Sequence, residues 1–309
     1  MKKNGKKKKG IDPGFKLFLV AAPFLLVYFL LNYLPLNGWR YAFYNYKPGY
    51  ALKDCEFVGL KHFASFFANP VMRRETIRVL RNTMAMSLIG MATSFLPMFF
   101  AISLNEVPYN KYKKFVQTVT TIPNFVSWVI VYSVISSMLS VESGLVNVIL
   151  KELGLIDTGI NFMATDKHVW LSMWLYSTWK GLGWSAVVYL AGIGSIDREL
   201  LEAASIDGAG RFQRIRYIMI PGLMPTFLTL FILSIGSLLS NGMDPYYIFQ
   251  NAFNKSQIEV LDLYTYNLGI GNNNISLATA VGILKSVIGI ILLFTANAIS
   301  GKVREEKII

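Results

Sequence analysis

Between two long apolar runs lies the stretch Glu202-Ala203-Ala204-Ser205-Ile206-Asp207-Gly208-Ala209-Gly210-Arg211-Phe212-Gln213. The stretch predicts a short helix, a break and a second helix. Ser195 or Asp197 can cap the first helix, and Gly208 stops it after a run of small residues. Beyond the break, apolar residues recur at spacings of three and four, and Pro221 and Pro225 mark the start of the next apolar run.

A short helix of small residues suits docking into a groove on a partner protein, because alanines let two backbones approach closely. An ordinary amphipathic loop accounts for the same pattern equally well. From the residues alone, both interpretations of the stretch stay open.

Long apolar runs lie on both sides of this stretch. A bilayer core about 30 Å thick needs about 20 apolar residues of helix. Six runs of that kind, each bounded by polar or charged residues, occur at 17–36, 83–104, 116–139, 169–193, 220–240 and 275–299. The sequence therefore predicts an all-α integral membrane protein with six transmembrane helices. The first run is too long for the apolar part of a signal peptide, so we expect a retained anchor.

Composition supports a membrane protein and excludes several other classes. The 309 residues are 53% hydrophobic and 16% charged, with a net charge of +12. The basic residues lie between apolar runs, which argues against a nucleic-acid partner. With Cys55 as the only cysteine and His62 and His168 as the only histidines, no internal disulfide can form and a transition-metal site is not expected. We expect no catalytic residue and no cofactor.

The distribution of basic residues predicts the orientation of the chain. Lysine and arginine are more frequent in the connections that face inwards if the N-terminus is cytoplasmic, which favours both termini inside. Lys180 and Lys285 fall within predicted spans that offer no acidic partner. We expect Lys180 to bind neighbouring carbonyls or line a wet cavity and Lys285 to reach the interface; a functional role for either lysine is the alternative.

The stretch also carries a specific resemblance. It is similar to the EAA loop of ABC importer permeases of the maltose type, and the matching residues are Glu202, Ala203, Ala204, Asp207, Gly208, Ala209, Phe212, Ile218 and Pro221. Further similarity to carbohydrate permeases, most of all to the LplB-like oligosaccharide branch, lies at Asn82-Thr83, Ile122-Pro123, Trp179-x-Gly181 and from Tyr264 to Gly269.

The resemblance implies a type I importer in the cell membrane, with this chain as a multi-pass pore subunit. Its expected partners are a second, homologous permease subunit in a heterodimer, two ATPase subunits, an extracytoplasmic binding protein of the lipoprotein kind, membrane lipid and a carbohydrate substrate. No G-x-x-x-x-G-K-[ST] phosphate loop occurs in this chain, so ATP hydrolysis is expected on a partner.

The resemblance also assigns domains and roles. It implies a cytoplasmic tail at 1–15, a first helix with an outer loop at 16–80, a permease core at 81–301 with the EAA loop at 195–221, and a cytoplasmic tail at 302–309. In the EAA loop, Glu202 is expected to pair with an arginine of the ATPase. Ala203, Ala204 and Ala209 belong to the docking surface, and Asp207 and Gly208 shape the turn.

A candidate substrate pathway rests partly on spacing and partly on the resemblance. Ser234, Ser237 and Asn241 recur at i, i+3 and i+7, which predicts one polar helical face, although serines in membrane helices more often serve helix packing. The resemblance places sugar-facing positions at Ser234, Asn241, Gly181, Asn124 and Trp128. We expect the stripes on the third and fifth spans to meet across a central cavity.

Three functions are compatible with a chain of this kind. The first is an oligosaccharide importer permease, and the second is a permease of the same architecture for a non-sugar solute such as an amino acid, phosphate or a peptide. A membrane-embedded enzyme is the third, and it would need a polar catalytic cluster that the predicted spans lack.

Overall fold

The structure, a computed structural model, describes residues 13–163, 165 and 167–304, and this part of the chain is almost entirely helical. The basic segment 1–12 and residues 305–309, which include most of the two predicted cytoplasmic tails, lie outside the described residues. The α-helices are α1 Pro13–Asn32, α2 Lys61–Ala68, α3 Pro70–Ala92, α4 Leu96–Asn105, α5 Asn110–Thr121, α6 Trp128–Leu139, α7 Leu145–Glu152, α8 Val169–Gly194, α9 Arg198–Ile206, α10 Arg211–Arg214, α11 Ile220–Gly236, α12 Asp244–Phe249, α13 Lys255–Ile258, α14 Leu261–Tyr266 and α15 Ile275–Arg304. Tighter 3-10 helices occur at Leu34–Phe43, Leu52–Asp54 and Ile122–Phe125, and wider π-helices at Ile215–Met219 and Asn267–Gly271.

Four helical stretches of the described chain are long and apolar enough to cross a bilayer. They are Gly14–Phe43, Pro70–Asn105, Arg211–Gly236 and Ile275–Gly301. A fifth crossing arises if Asn110–Phe125 and Trp128–Leu139, which meet at 104°, are counted as one broken span. The remaining predicted run forms α8, which has 26 residues but is less apolar, because serines, tryptophans, tyrosines and Lys180 interrupt it.

The third predicted span, expected as one continuous helix, is broken. Pro123 lies in the 3-10 turn that follows α5, and the chain then turns sharply before α6. Ser127 starts the new helix, because its Oγ accepts the backbone N–H of Ile130 at 3.4 Å. A break at membrane depth frees backbone carbonyls that need new partners.

Lys180 of α8 supplies those partners. Its Nζ donates to the carbonyl oxygens of Pro123 at 3.0 Å, Asn124 at 2.7 Å and Val126 at 2.7 Å. An ammonium group has three N–H donors, so the three acceptors match its capacity. The expectation that Lys180 binds neighbouring carbonyls is confirmed.

Lys285 differs from its prediction. Its Nζ donates to Oδ1 of Asp262, and the other carboxylate oxygen accepts the N–H of Gly242 at 2.8 Å. The expectation that Lys285 lacks an acidic partner and reaches the interface is wrong. The reason is that Asp262 lies in α14, a short helix between the fifth and sixth predicted spans that packs beside α15.

A buried polar pair joins α3 to the segment before α14. Asn82 and Thr83 are both fully buried. Asn82 Nδ2 donates to the carbonyls of Ser256 at 3.0 Å and Glu259 at 3.1 Å, and Thr83 Oγ1 accepts the N–H of Leu261 at 2.8 Å. These bonds supply hydrogen-bond partners to backbone groups in and between the short helices α13 and α14, where partners within the same helix are missing.

The packing of α8 against α5 depends on a residue without a side chain. A Cβ atom on Gly183 would lie 2.2 Å from the carbonyl oxygen of Thr120, which belongs to the backbone and cannot rotate away. We predict that Gly183→Ala separates the two helices and costs about 1–3 kcal/mol of stability through overpacking. The measurement is the thermal midpoint of the purified protein in detergent.

Gly282→Ala is the matched control for this change. Gly282 is an interior glycine of α15, and a Cβ atom there would meet no other atom within 4 Å. Its midpoint should stay at the wild-type value or rise. Equal midpoints for the Gly183 and Gly282 variants would contradict the close helix approach.

Candidate functional site

The segment 195–221 folds as a helix, a turn and a second helix. The side chain of Asp197 caps α9 by accepting the N–H of Glu199 at 2.9 Å, whereas the hydroxyl of Ser195 donates to the carbonyl of Gly192. At the other end Gly208 adopts a φ of 80°, the left-handed conformation that ends helices. The predicted glycine stop is confirmed, and Asp197 is the cap of the two candidates.

The second half of the loop is continuous with the fifth predicted span. Helix α10 passes through the π-helical turn into α11 without a break. Arg214 Nη1 donates to Ser205 Oγ at 3.0 Å, and Gln213 Oε1 accepts the N–H of Gly210 at 2.7 Å. The Arg214–Ser205 bond joins the two halves of the loop, whereas the Gln213–Gly210 bond caps the start of α10.

The loop presents an unusual surface. Ile206, Phe212 and Tyr217 are 87%, 73% and 70% exposed. Glu202 and Asp207 are exposed beside them. Large apolar side chains exposed next to charged ones are typical of a surface that contacts another protein or the membrane.

An ion pair connects this loop to α4. Arg211 Nε lies 2.8 Å from Glu106 Oε2, and the carboxylate side chain is only 14% exposed. Arg211 is the first residue of α10, so the carboxylate also lies near the positive end of that helix. Sequence reasoning missed this contact, because nothing in the spacing of two such distant residues indicates that they meet.

A groove runs between α8 and the break that separates α3 from α4. It consists of two adjacent cavities of about 240 Å³ and about 380 Å³ that share Ser94, Pro97 and Ser185. The first is lined by residues that include Gly90, Thr93, Trp174, Ser177, Thr178, Gly181 and Tyr246. The second is lined by residues that include Trp184, Tyr189, Phe227, Phe231 and Ser234. We call the two cavities together the central groove.

The central groove owes its shape to local sequence. Thr93 ends α3, and Pro97 lies at the start of α4, where its missing N–H costs nothing. Trp174 Nε1 donates to Thr93 Oγ1 at 2.8 Å, which fixes α8 against the break. The resulting surface combines aromatic rings with hydroxyl groups.

Two sequence candidates line the central groove. Gly181 lies on the wall of the first cavity, where the absence of a side chain leaves space, since a Cβ atom would meet nothing within 4 Å. Ser234 lies on the wall of the second, and its hydroxyl donates to the carbonyl of Phe231 at 2.6 Å.

Asn241 does not extend the helical face of Ser234 and Ser237. Helix α11 ends at Gly236 with Ser237 as its cap, so Asn241 lies beyond the helix and beyond the turn that follows it. Asn241 Nδ2 donates to Ser87 Oγ at 2.9 Å, and its buried Oδ1 has no hydrogen-bond partner among the described residues. The prediction of one polar helical face through all three residues is wrong, because the helix ends one turn earlier than the apolar run.

Asn124 and Trp128 are not among the residues that line the central groove. The bend between the 3-10 turn and α6 separates them, so they do not form one stripe on the third predicted span. The ring of Trp128 contacts Phe249 edge-on at 6.3 Å, and Lys180 lies 5.6 Å from its centroid. Neither residue is on the described wall of the cavities that contain Gly181 and Ser234.

Tyr246 is a groove residue that sequence reasoning missed. Burial raises the pKa of its phenol to about 12, and the Asp262 carboxylate adds to that shift. The hydroxyl is therefore protonated at any physiological pH and can donate a hydrogen bond. Other groove residues could have been found from the sequence. In α8, Trp174, Thr178, Gly181 and Ser185 recur at helical spacing, which predicts that they share one face of the helix.

Comparison with known proteins identifies the family. A family model described as "Binding-protein-dependent transport system inner membrane component" matches residues 93–305. The chain is 37% identical to Protein LplB of Bacillus subtilis (strain 168), over 94% of this chain and 90% of that protein. It is 36% identical to the polygalacturonan/rhamnogalacturonan transport system permease protein YteP of the same strain, over 94% of this chain and 89% of that protein.

The fold has close counterparts among solved structures. One is a chain of a bacterial ABC transporter involved in the import of the acidic polysaccharide alginate, with a TM-score of 0.81 and 29% identity over 94% of this chain and 96% of that chain. A second structure of a bacterial alginate transporter, in complex with alginate pentasaccharide-bound periplasmic protein, gives a TM-score of 0.82 and 28% identity over 95% and 96%. The chain belongs to the binding-protein-dependent inner membrane components: it is the non-catalytic permease of an ABC importer.

Proposed function

We propose that this permease carries an oligosaccharide through the central groove. The observation that carries the proposal is the wall of that groove, where Trp174 and Tyr246 stand beside Thr93, Thr178 and Ser185. Aromatic rings pack against the apolar faces of sugars, and hydroxyl groups exchange hydrogen bonds with sugar hydroxyls. The relatives named for polygalacturonan, arabinooligosaccharide and galactooligosaccharide transport support a carbohydrate as the solute.

The substrate pathway in this proposal has two parts. Gly181 and Ser234 belong to the wall of the central groove itself. Ser237, Asn241, Asn124 and Trp128 are proposed to contribute where the complete pathway extends beyond the described cavities. A second permease subunit would close the pathway on its open side.

The proposed topology has six crossings with both termini in the cytoplasm. Helix α8 is the fourth crossing in chain order, and its lower hydropathy follows from the polar face that it gives to the groove. The core of the permease then spans 81–301, after the first helix and outer loop at 16–80.

The proposed assembly contains a second homologous permease subunit, two ATPase subunits and a lipoprotein that binds the solute outside. The solved alginate transporter with its periplasmic protein supports the last partner. The ATPase would dock on the exposed 195–221 loop, where Glu202 is available for an arginine, the alanines Ala203, Ala204 and Ala209 allow close approach, and Asp207 and Gly208 set the turn.

Movement of the loop would reach the groove through two connections. The loop is continuous with α11, which lines the second cavity, and the Arg211–Glu106 pair joins it to α4, which packs along α8. A displacement driven by ATP binding on the partner would therefore move two walls of the groove at once. This is the proposed basis of alternating access.

The topology can be tested by cysteine labelling after replacement of the native Cys55 by serine. Lys114→Cys and Phe253→Cys place thiols at exposed positions on opposite sides of the proposed membrane. In intact cells an impermeant thiol reagent should label position 253 and leave position 114 unlabelled, while opened membranes should allow both. Labelling of position 114 from outside would contradict the orientation.

Coupling can be tested at the turn of the loop. Gly208→Pro cannot adopt the observed φ of 80°, because proline holds φ near about −65°. Glu202→Lys reverses the charge proposed to meet an arginine. Both variants should insert normally, lose the ATPase subunits on co-purification and lose ATP-dependent glycan uptake.

Gly154→Pro is the matched control for the turn. Gly154 follows α7 with a φ of 67°, so proline causes the same kind of strain at a position proposed to face outwards. This variant should retain the ATPase subunits. Normal ATPase recovery and normal uptake in both loop variants would show that the loop does not dock the ATPase.

A further inference from the structure

A third cavity lies at the start of α8, the end of that helix that is proposed to face outwards. It has a volume of about 340 Å³ and is lined by Ile89, His168, Val169, Trp170, Leu171 and Gln257. Trp170 precedes Trp174 by four residues, so the two rings lie on the same helical face. Ile89 is adjacent to Gly90 of the first cavity. We call this third cavity, with the neighbouring Arg81, the outer mouth.

Arg81 is held in a defined position at the outer mouth. Its guanidinium carbon lies 5.7 Å from the centroid of the Trp170 ring. Nη2 donates to Gln257 Oε1 at 3.1 Å, to Asn82 Oδ1 at 3.2 Å and to the carbonyl of Ser256 at 3.4 Å. All three acceptors are neutral, so the positive charge of Arg81 is oriented without being compensated.

The neighbouring arginine shows the contrast. Arg78, one turn earlier on α3, lies 2.6 Å from Glu259, which is almost completely buried, and also pairs with Glu75. Among the described residues 13–163, 165 and 167–304, no ion pair includes Arg81. Arg81 itself is exposed. Of these two arginines, Arg78 has a structural partner and Arg81 presents an available cation.

We propose that the outer mouth binds a carboxylate of the solute, so that the substrate class is an oligosaccharide that contains uronic acid units. This inference rests on the proposed function. Trp170 is fixed by its own Nε1, which donates to the carbonyl of Gln257 at 2.9 Å, and it offers an aromatic surface for a sugar ring. The guanidinium beside it is positively charged, and its Nη1 group, which makes none of the three bonds of Nη2, can donate a charge-assisted hydrogen bond to a carboxylate.

The test compares trigalacturonate with its fully methyl-esterified form, which has the same sugar backbone but carries no charge on its carboxyl groups. Uptake is measured in proteoliposomes that contain the complete transporter and its binding protein, so that the binding protein is constant while the permease changes. Arg81→Gln should lower uptake of trigalacturonate about tenfold, the size expected for loss of a charged hydrogen bond, and should leave uptake of the ester unchanged. Arg81→Glu should lower it further.

Arg74→Gln is the matched control, because Arg74 is an exposed arginine on the same helix. It should keep the wild-type ratio of acid uptake to ester uptake. An equal loss of acid and ester in the Arg81 variants, or the same ratio in the Arg74 and Arg81 variants, would overturn the proposal, since Arg81 would then act on structure alone.

A neutral trisaccharide, galactotriose, distinguishes a failure of the acidic substrate class from a failure of oligosaccharide import in general. Wild-type uptake of galactotriose without uptake of trigalacturonate would overturn the acidic substrate class and leave the import of oligosaccharides intact. Absence of ATP-dependent uptake for all three glycans would overturn the proposed function and the inference together.

Discussion

The bond between Lys180 and the broken third span is the constraint on which the rest of the structure depends. A bilayer interior offers no water to a carbonyl that has left its helix, and the break after α5 leaves several such carbonyls. One ammonium group satisfies three of them. Because Lys180 belongs to α8, the same contact fixes α8 relative to α5, and Gly183 one turn later lets the two backbones touch. The polar face of α8 is thereby directed towards the break between α3 and α4, where the central groove forms.

The end of the molecule that carries the 195–221 loop is held in a similar way. The 195–221 loop is held together by hydrogen bonds, is continuous with α11 and is joined to α4 by the Arg211–Glu106 pair. Helix α4 has ten residues, or about 15 Å, so one short rigid element separates the loop from the groove. The surface proposed to bind the ATPase and the cavity proposed to bind the solute are therefore connected by helices that cannot bend freely between them.

The sequence predicted those features that depend on local chemistry. The turn at Gly208 and the cap at Asp197 follow from residues within one helix length, and apolar runs account for the four helical stretches that are long and apolar enough to cross a bilayer. Other features depend on residues far apart in the chain. The Lys285–Asp262 pair, the Arg211–Glu106 pair and the bonds made by Asn82 could not be derived from spacing. Pro123 was ambiguous, because membrane helices tolerate proline, and the end of α11 at Gly236 was hidden by an apolar run that continues beyond the helix.

The proposal that the solute passes through the central groove is tested most directly by filling the groove. Gly181→Leu places a bulky side chain where the structure has open space on the wall of the first cavity, with no other atom within 4 Å of the new Cβ. The measurement is ATP-dependent uptake of a labelled oligosaccharide by the reconstituted transporter, beside its basal ATP hydrolysis and its recovery as an assembled complex. If the solute passes through the central groove, uptake is lost while ATP hydrolysis and assembly stay at wild-type levels. Uptake at the wild-type rate in this variant would show that the solute takes another route.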